Sequence, residues 1–135
     1  HQSKLVNYFN GDYAKSKIEE DLDKFLKKIK KDKKYSLSKK DIIFLEALKS
    51  DGIKISKKYE NLYKVNKSEM PSDIQKMLDN KEIGAALLRI IEVIGPEKIE
   101  DIDDDTVYFI INTLNQLNTD SIRNKLLLKV LPLKV

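Results

Sequence analysis

From Ala14 to Lys31 the apolar residues fall at Ile18, Leu22, Phe25, Leu26 and Ile29, a spacing that lines one face of an α-helix. Glu19, Glu20, Asp21 and Asp23 precede Lys27, Lys28, Lys30 and Lys31, the order the helix dipole favours. Upstream, Leu5, Val6, Tyr8 and Phe9 run into the turn signal Asn10-Gly11-Asp12. They read as the tail of a helix, with a hairpin strand as the alternative. Ser38 stands three residues before Asp41, an N-cap with an acidic N3, and Ile42, Leu45, Ala47 and Leu48 follow. Ser50-Asp51-Gly52 ends that helix, with a glycine able to take the left-handed backbone. Ile53 and Ile55 lead to a second cap at Ser56 and a shorter stripe of Tyr59, Leu62 and Tyr63. Pro71 suits the first position of a helix that buries Ile74, Met77 and Leu78.

Lys81 to Ile94 repeats the first spacing at Ile83, Leu87, Ile90, Ile91 and Ile94, and Ala85, Ala86, Leu88 and Val93 make it apolar nearly all round. Such a helix is predicted in the middle of the fold. Gly95-Pro96 stops it, and an acidic linker follows. Val107, Ile110, Ile111, Leu114 and Leu117 mark the next helix, which ends near Asn118. Thr119 is the predicted cap of the last one, with Ile122, Leu126 and Val130 on its inner face before Pro132.

These elements predict an all-α domain of six or seven short helices stacked as antiparallel hairpins, either solenoid-like or a compact bundle. The solenoid form would be a right-handed array whose acidic last pair acts as a C-terminal cap. Ser38-Lys39-Lys40 and Ser56-Lys57-Lys58 echo each other, each opening a helix, but no consensus of the common solenoid repeats is met. Residues 1–135 are read as a single domain. The opening His1-Gln2-Ser3, without an initiator Met, suggests a piece of a longer polypeptide or a processed form.

Composition sharpens this picture. Hydrophobic residues make up 41% and charged residues 36%, too apolar for disorder and too charged for a membrane span. Arg89 and Glu92 interrupt the most apolar segment. Cysteine is absent, which removes disulfides, thiolate nucleophiles and cysteine metal sites. The net charge of +4 is unevenly laid out: residues 1–69 carry 18 Lys/Arg against 11 Asp/Glu, and residues 70–135 carry 8 against 11.

Four groups of residues are candidates for function. Asp101, Asp103 and Asp105 match the opening of an EF-hand loop, but Thr106 occupies the glycine position and Asn112 the bidentate glutamate position. They are therefore read as caps of the helix at Val107, with a weak divalent-cation site as the alternative. Nine lysines lie between Lys24 and Lys40, including Lys27, Lys28, Lys31 and Lys34. They read as a solvated face, or as a surface for nucleic acid or another anionic polymer, with no arginine nearby and only Tyr35 interleaved among the loop lysines. Tyr59 and Tyr63, one turn apart, are the candidate exposed contact ridge; Phe44, Tyr108 and Phe109 read as core or groove lining. Arg89 and Glu92 can pair at i, i+3.

The single histidine is His1, and no nucleophile elbow, phosphate loop or dinucleotide fingerprint occurs. The expectation is no catalysis and no cofactor. A helical scaffold or protein-interaction domain leads, with another protein as partner. The alternatives are an electrostatic binder acting through Lys24–Lys40 and a helical accessory domain of a cell-envelope enzyme.

Asp51-Gly52-Ile53 through Pro71, Glu82 through Leu88, Gly95-Pro96 and the closing Leu131-Pro132-Leu133-Lys134-Val135 resemble a group of uncharacterised alphaproteobacterial helical-repeat proteins. Asp-Gly turns, small-residue helices and a Leu-Pro-Leu-basic-Val ending recur in that group. The resemblance spans roughly residues 45–135. It implies the C-terminal portion of a larger exported protein of the periplasm or cell envelope, and it carries no catalytic motif.

Overall fold

A computed structural model describes residues 4–32, 37–62, 72–94 and 101–131, with residues 60, 61 and 90–94 described by backbone alone. Six α-helices occur among them: α1 (Lys15–Lys31), α2 (Lys39–Ser50), α3 (Ser72–Asp79), α4 (Ile83–Ile94), α5 (Asp104–Gln116) and α6 (Asp120–Val130). Two 3-10 segments, Leu5–Asn10 and Lys57–Leu62, complete the order. The described residues contain no strand. The fold is all-α, and of the two forms predicted the compact bundle is the one that fits: α2 packs chiefly on α5, far away in sequence, while α3–α4 and α5–α6 keep their sequential pairing.

Local chemistry sets the helix boundaries. The Ser38 hydroxyl accepts from the Asp41 amide at 3.1 Å, and the Asp41 carboxylate accepts from the Ser38 amide at 2.9 Å, a complete capping box. At the other end of α2 the Gly52 amide donates to Lys49 and the Ile53 amide to Leu48, both at 3.0 Å. This is a Schellman motif, with Gly52 at φ 87°. The same pattern closes α5 at Asn118 (φ 55°) and α3 at Lys81 (φ 60°). Lys81 is the costly version, because its Cβ crowds the left-handed backbone.

The core runs through α1, α2, α5, α6 and the first 3-10 segment. Ile18, Leu22, Leu26 and Ile29 bury the predicted stripe of α1. Leu5, Val6 and Phe9 are buried too, and their segment is helical as predicted, in the tighter 3-10 form, and not a strand. The Phe9 ring meets Phe44 edge-on, with centroids 5.8 Å apart.

Five expectations are corrected. The central helix is α2, where Asp41 through Leu45, Ala47 and Leu48 are all buried. Over its first two turns α4 lies outside: Ile83 and Leu88 are 49% and 58% exposed, and Ala86 is the one side chain described there as buried. Met77 and Leu78 are half-buried; on α3 only Ile74 is buried. The inner face of α6 is rotated: Arg123, Leu127 and Val130 are buried while Ile122 is 53% exposed. Thr119 precedes α6 without capping it, because its hydroxyl donates to the Leu114 carbonyl at 3.2 Å. The stretch after Ser56 is a 3-10 turn, so the two Ser-Lys-Lys motifs open different structures.

Candidate interaction surfaces

The strongest polar constellation is buried. Arg123 is 0% exposed. Its guanidinium donates to Asp51 at 2.8 Å, to Asn115 at 3.1 Å and to Asn124 at 2.7 Å, and it lies 5.7 Å from the Phe9 ring centroid. The Tyr8 hydroxyl also donates to Asp51, at 3.1 Å. A buried cation demands such a set of acceptors, since an unpaired one is too costly to desolvate. The cluster ties the N-terminal segment, the end of α2, α5 and α6 together. Burial, followed by the Asp51 charge and hydrogen bond, pushes the Tyr8 hydroxyl up to about 12. This arrangement locks four segments around one guanidinium.

The predicted lysine run divides in the structure. Lys24 pairs with Glu20 at 3.3 Å and Lys17 with Asp21 at 3.6 Å, so the N-terminal half of α1 is laced with i, i+4 pairs. Asp21 also accepts from the Tyr13 hydroxyl; that bond holds its carboxyl below the ordinary range and raises Tyr13 to about 12. Lys27, Lys28 and Lys31 are exposed and make no ion pair among the described residues. Lys39 leaves the run altogether: it pairs with Asp105 at 3.3 Å and lies 5.1 Å from the Tyr108 ring centroid. Lys34 lies outside the described residues.

What replaces Lys39 is not adjacent in sequence. Lys30 reaches the Lys58 carbonyl at 3.5 Å, bringing the second 3-10 segment against α1. Tyr59 sits between, with the Lys30 and Lys58 ammonium groups 6.0 and 5.0 Å from its ring centroid. Tyr59 is 1% exposed and belongs to the core, so the predicted contact ridge is corrected: its ring is spent on packing and on the two lysines. Tyr63 lies outside the described residues.

The three aspartates before α5 do not converge. Asp103 accepts from the Thr106 amide at 3.0 Å as the N-cap, and hydrogen bonding from the Thr106 side chain, then from its backbone, holds the carboxyl below the usual range. Asp105 faces Lys39, and Asp101 is exposed. Among the described residues no three acidic or histidine side chains gather as metal ligands. Arg89 reaches across to Asp73 on α3 at 3.8 Å; the Glu92 side chain lies outside the description.

An open cleft of about 690 Å³ runs along α3, lined by Ser72, Asp73, Gln75, Lys76 and Asp79. Its acids are engaged, Asp73 by Arg89 and Asp79 by the Gln75 amide at 2.8 Å. Gln75 also bonds Gln116 of α5 at 3.3 Å, fastening α3 to the body. Beside it, the first two turns of α4 present Ile83, Gly84, Ala85 and Leu88 outward. No helix among the described residues is long and apolar enough to cross a membrane. Comparison with known proteins adds nothing to this geometry: no family model, no curated protein and no solved structure matches the chain.

Arg123 is the residue that periodicity misses, because an arginine on a helix is counted as polar and outward. Its signal is compositional. Among 26 cationic residues only Arg89 and Arg123 are arginine, the side chain suited to several acceptors at once.

Proposed function

We propose that the chain is a non-catalytic interaction domain that receives a protein partner on the outward face of α4. The observation that carries this reading is the exposure of Ile83 and Leu88, 49% and 58%, on a helix that has both α3 and α5 available to cover it. Large apolar side chains presented together on one element mark contact surfaces. The polar cleft of α3 alongside supplies the rim such a surface needs. An amphipathic helix laid across α4 is the partner geometry that this exposed, partly apolar helical surface suggests. The likeness to alphaproteobacterial helical-repeat proteins belongs to the same proposal and would put that partner in the cell envelope.

The test is site-specific photo-crosslinking from position 88 in cells that make the protein, with a matched probe at exposed Asp12. One discrete adduct is expected from position 88 and none from position 12. The purified partner should then lose at least tenfold in affinity for Leu88→Asp. Indistinguishable adducts from both positions, or undiminished binding by Leu88→Asp, refute the proposal.

A further inference from the structure

We infer that the outward face of α1 and the second 3-10 segment together form a binding surface for the phosphate backbone of duplex nucleic acid, bound without regard to sequence. The surface is composite: Lys27, Lys28, Lys30 and Lys31 from α1, and Lys57 and Lys58 from a segment nearly thirty residues later. It is independent of the α4 face and of the reading attached to it.

A solvated face is the plain alternative, and the distribution of pairs argues against it. In the first half of α1, lysines at 17 and 24 are neutralised by carboxylates one turn away. In the second half, Asp23 stands one turn before Lys27 and forms no ion pair with it, and Lys31 stands one turn after Lys27. The fold then adds more positive charge. Lys30 and Lys58 share one aromatic ring, at 6.0 and 5.0 Å from its centroid, which sets the two ammoniums within about a Debye length, roughly 10 Å. Like charges gathered at that range oppose folding. A polyanion turns the same repulsion into attraction through counterion release.

The chemistry of the patch selects among polyanions. Neither arginine of the chain belongs to it, so the bidentate fork that reads guanine is missing. Its described aromatic, Tyr59, is buried and offers no platform for unstacked bases, which favours a duplex over a single strand. The large exposed apolar side chains, Ile83, Leu88 and Ile122, all lie on α4 and α6, so this face has nothing described that would enter a lipid headgroup layer. Charge without stacking, forks or apolar anchors fits the regular outer surface of a double helix.

Fluorescence anisotropy with a duplex DNA of about 20 base pairs tests the inference. The expected log–log salt slope is between roughly −3.5 and −5.5, from about four to six phosphate contacts. Lys27→Gln, Lys31→Gln and Lys58→Gln combined should weaken binding at least tenfold at about 50 mM salt and make the slope shallower by about 2–3. The control triple variant Lys76→Gln, Lys125→Gln and Lys129→Gln has the same net charge and should bind within about twofold of the parent, with both circular dichroism spectra unchanged. Absence of binding at about 20 mM salt overturns the inference, as does equal weakening in the two triple variants. Binding to phosphatidylserine vesicles or to polyglutamate at least as tight as to the duplex also overturns it.

Discussion

Replacing Arg123 by methionine probes the buried cluster at the junction of four segments. The side chain is 0% exposed and reaches Asp51, Asn115 and Asn124, so the variant removes a charge together with the donors that satisfy these acceptors. Breaking a buried pair by deleting one partner costs about 3–5 kcal/mol, mostly through the charge left behind. Here the stranded carboxylate keeps the Tyr8 hydroxyl at 3.1 Å and retains 13% exposure, which places the loss at the lower end, about 3 kcal/mol. For a chain of this length that corresponds to a fall in Tm of roughly 10 °C. Urea unfolding should show the loss as a lower midpoint with unchanged slope. Asp51→Asn in the same background should then cost less than it does alone, with a coupling energy of about 1–3 kcal/mol. A loss below about 1 kcal/mol for Arg123→Met, or strict additivity with Asp51→Asn, would refute the hub.

Other consequences are accessible to simple measurements. Ser38→Ala opens the capping box of the most buried helix and should cost about 1 kcal/mol in urea unfolding. Lys81→Gly relieves a left-handed non-glycine residue at φ 60° and should stabilise the protein by roughly 1 kcal/mol, against the usual penalty for glycine. The Tyr8 and Tyr108 hydroxyls are both raised to about 12, chiefly by burial. The folded state thus favours their protonated forms; that stability is intact below pH 10 and is lost as pH climbs toward 12, so phenolate absorbance and loss of helix should rise together in that window. Leu88→Asp falls on a 58% exposed position and should change stability by no more than about 0.5 kcal/mol, which separates its effect on partner binding from any effect on folding.

Much of the fold is legible in the sequence because burial and helical period agree. The stripe Ile18, Leu22, Leu26, Ile29 is buried as spaced, and the Ser38–Asp41 box and the Ser50-Asp51-Gly52 stop bound α2 where their chemistry requires. The misreadings have a shared cause: periodicity reports which residues are apolar, not which neighbour covers them. Apolarity on all sides led to α4 as the central helix, whereas the four-residue run Ile42-Ile43-Phe44-Leu45 marks the helix that is enclosed. On α6 the inner face turns by one residue because Arg123 is drawn in by Asp51, a partner 72 positions away that local spacing cannot see. The basic patch was half legible. Its α1 lysines stand in a row in the sequence, but Lys58, next to exposed Lys57, joins them only through the packing around Tyr59.

Native-state hydrogen exchange, followed residue by residue, bears on all of this at once. A bundle closed by α2, α5, α6 and the Arg123 cluster, with the start of α4 facing outward, predicts that the slowest amides lie in α2 and α5 and open only with global unfolding. Amides in α3 and the first two turns of α4 should exchange through a smaller opening, at least 2 kcal/mol below the global value. Uniform protection of α3 and α4 together with α2, or faster exchange in α2 than in α4, would contradict that arrangement.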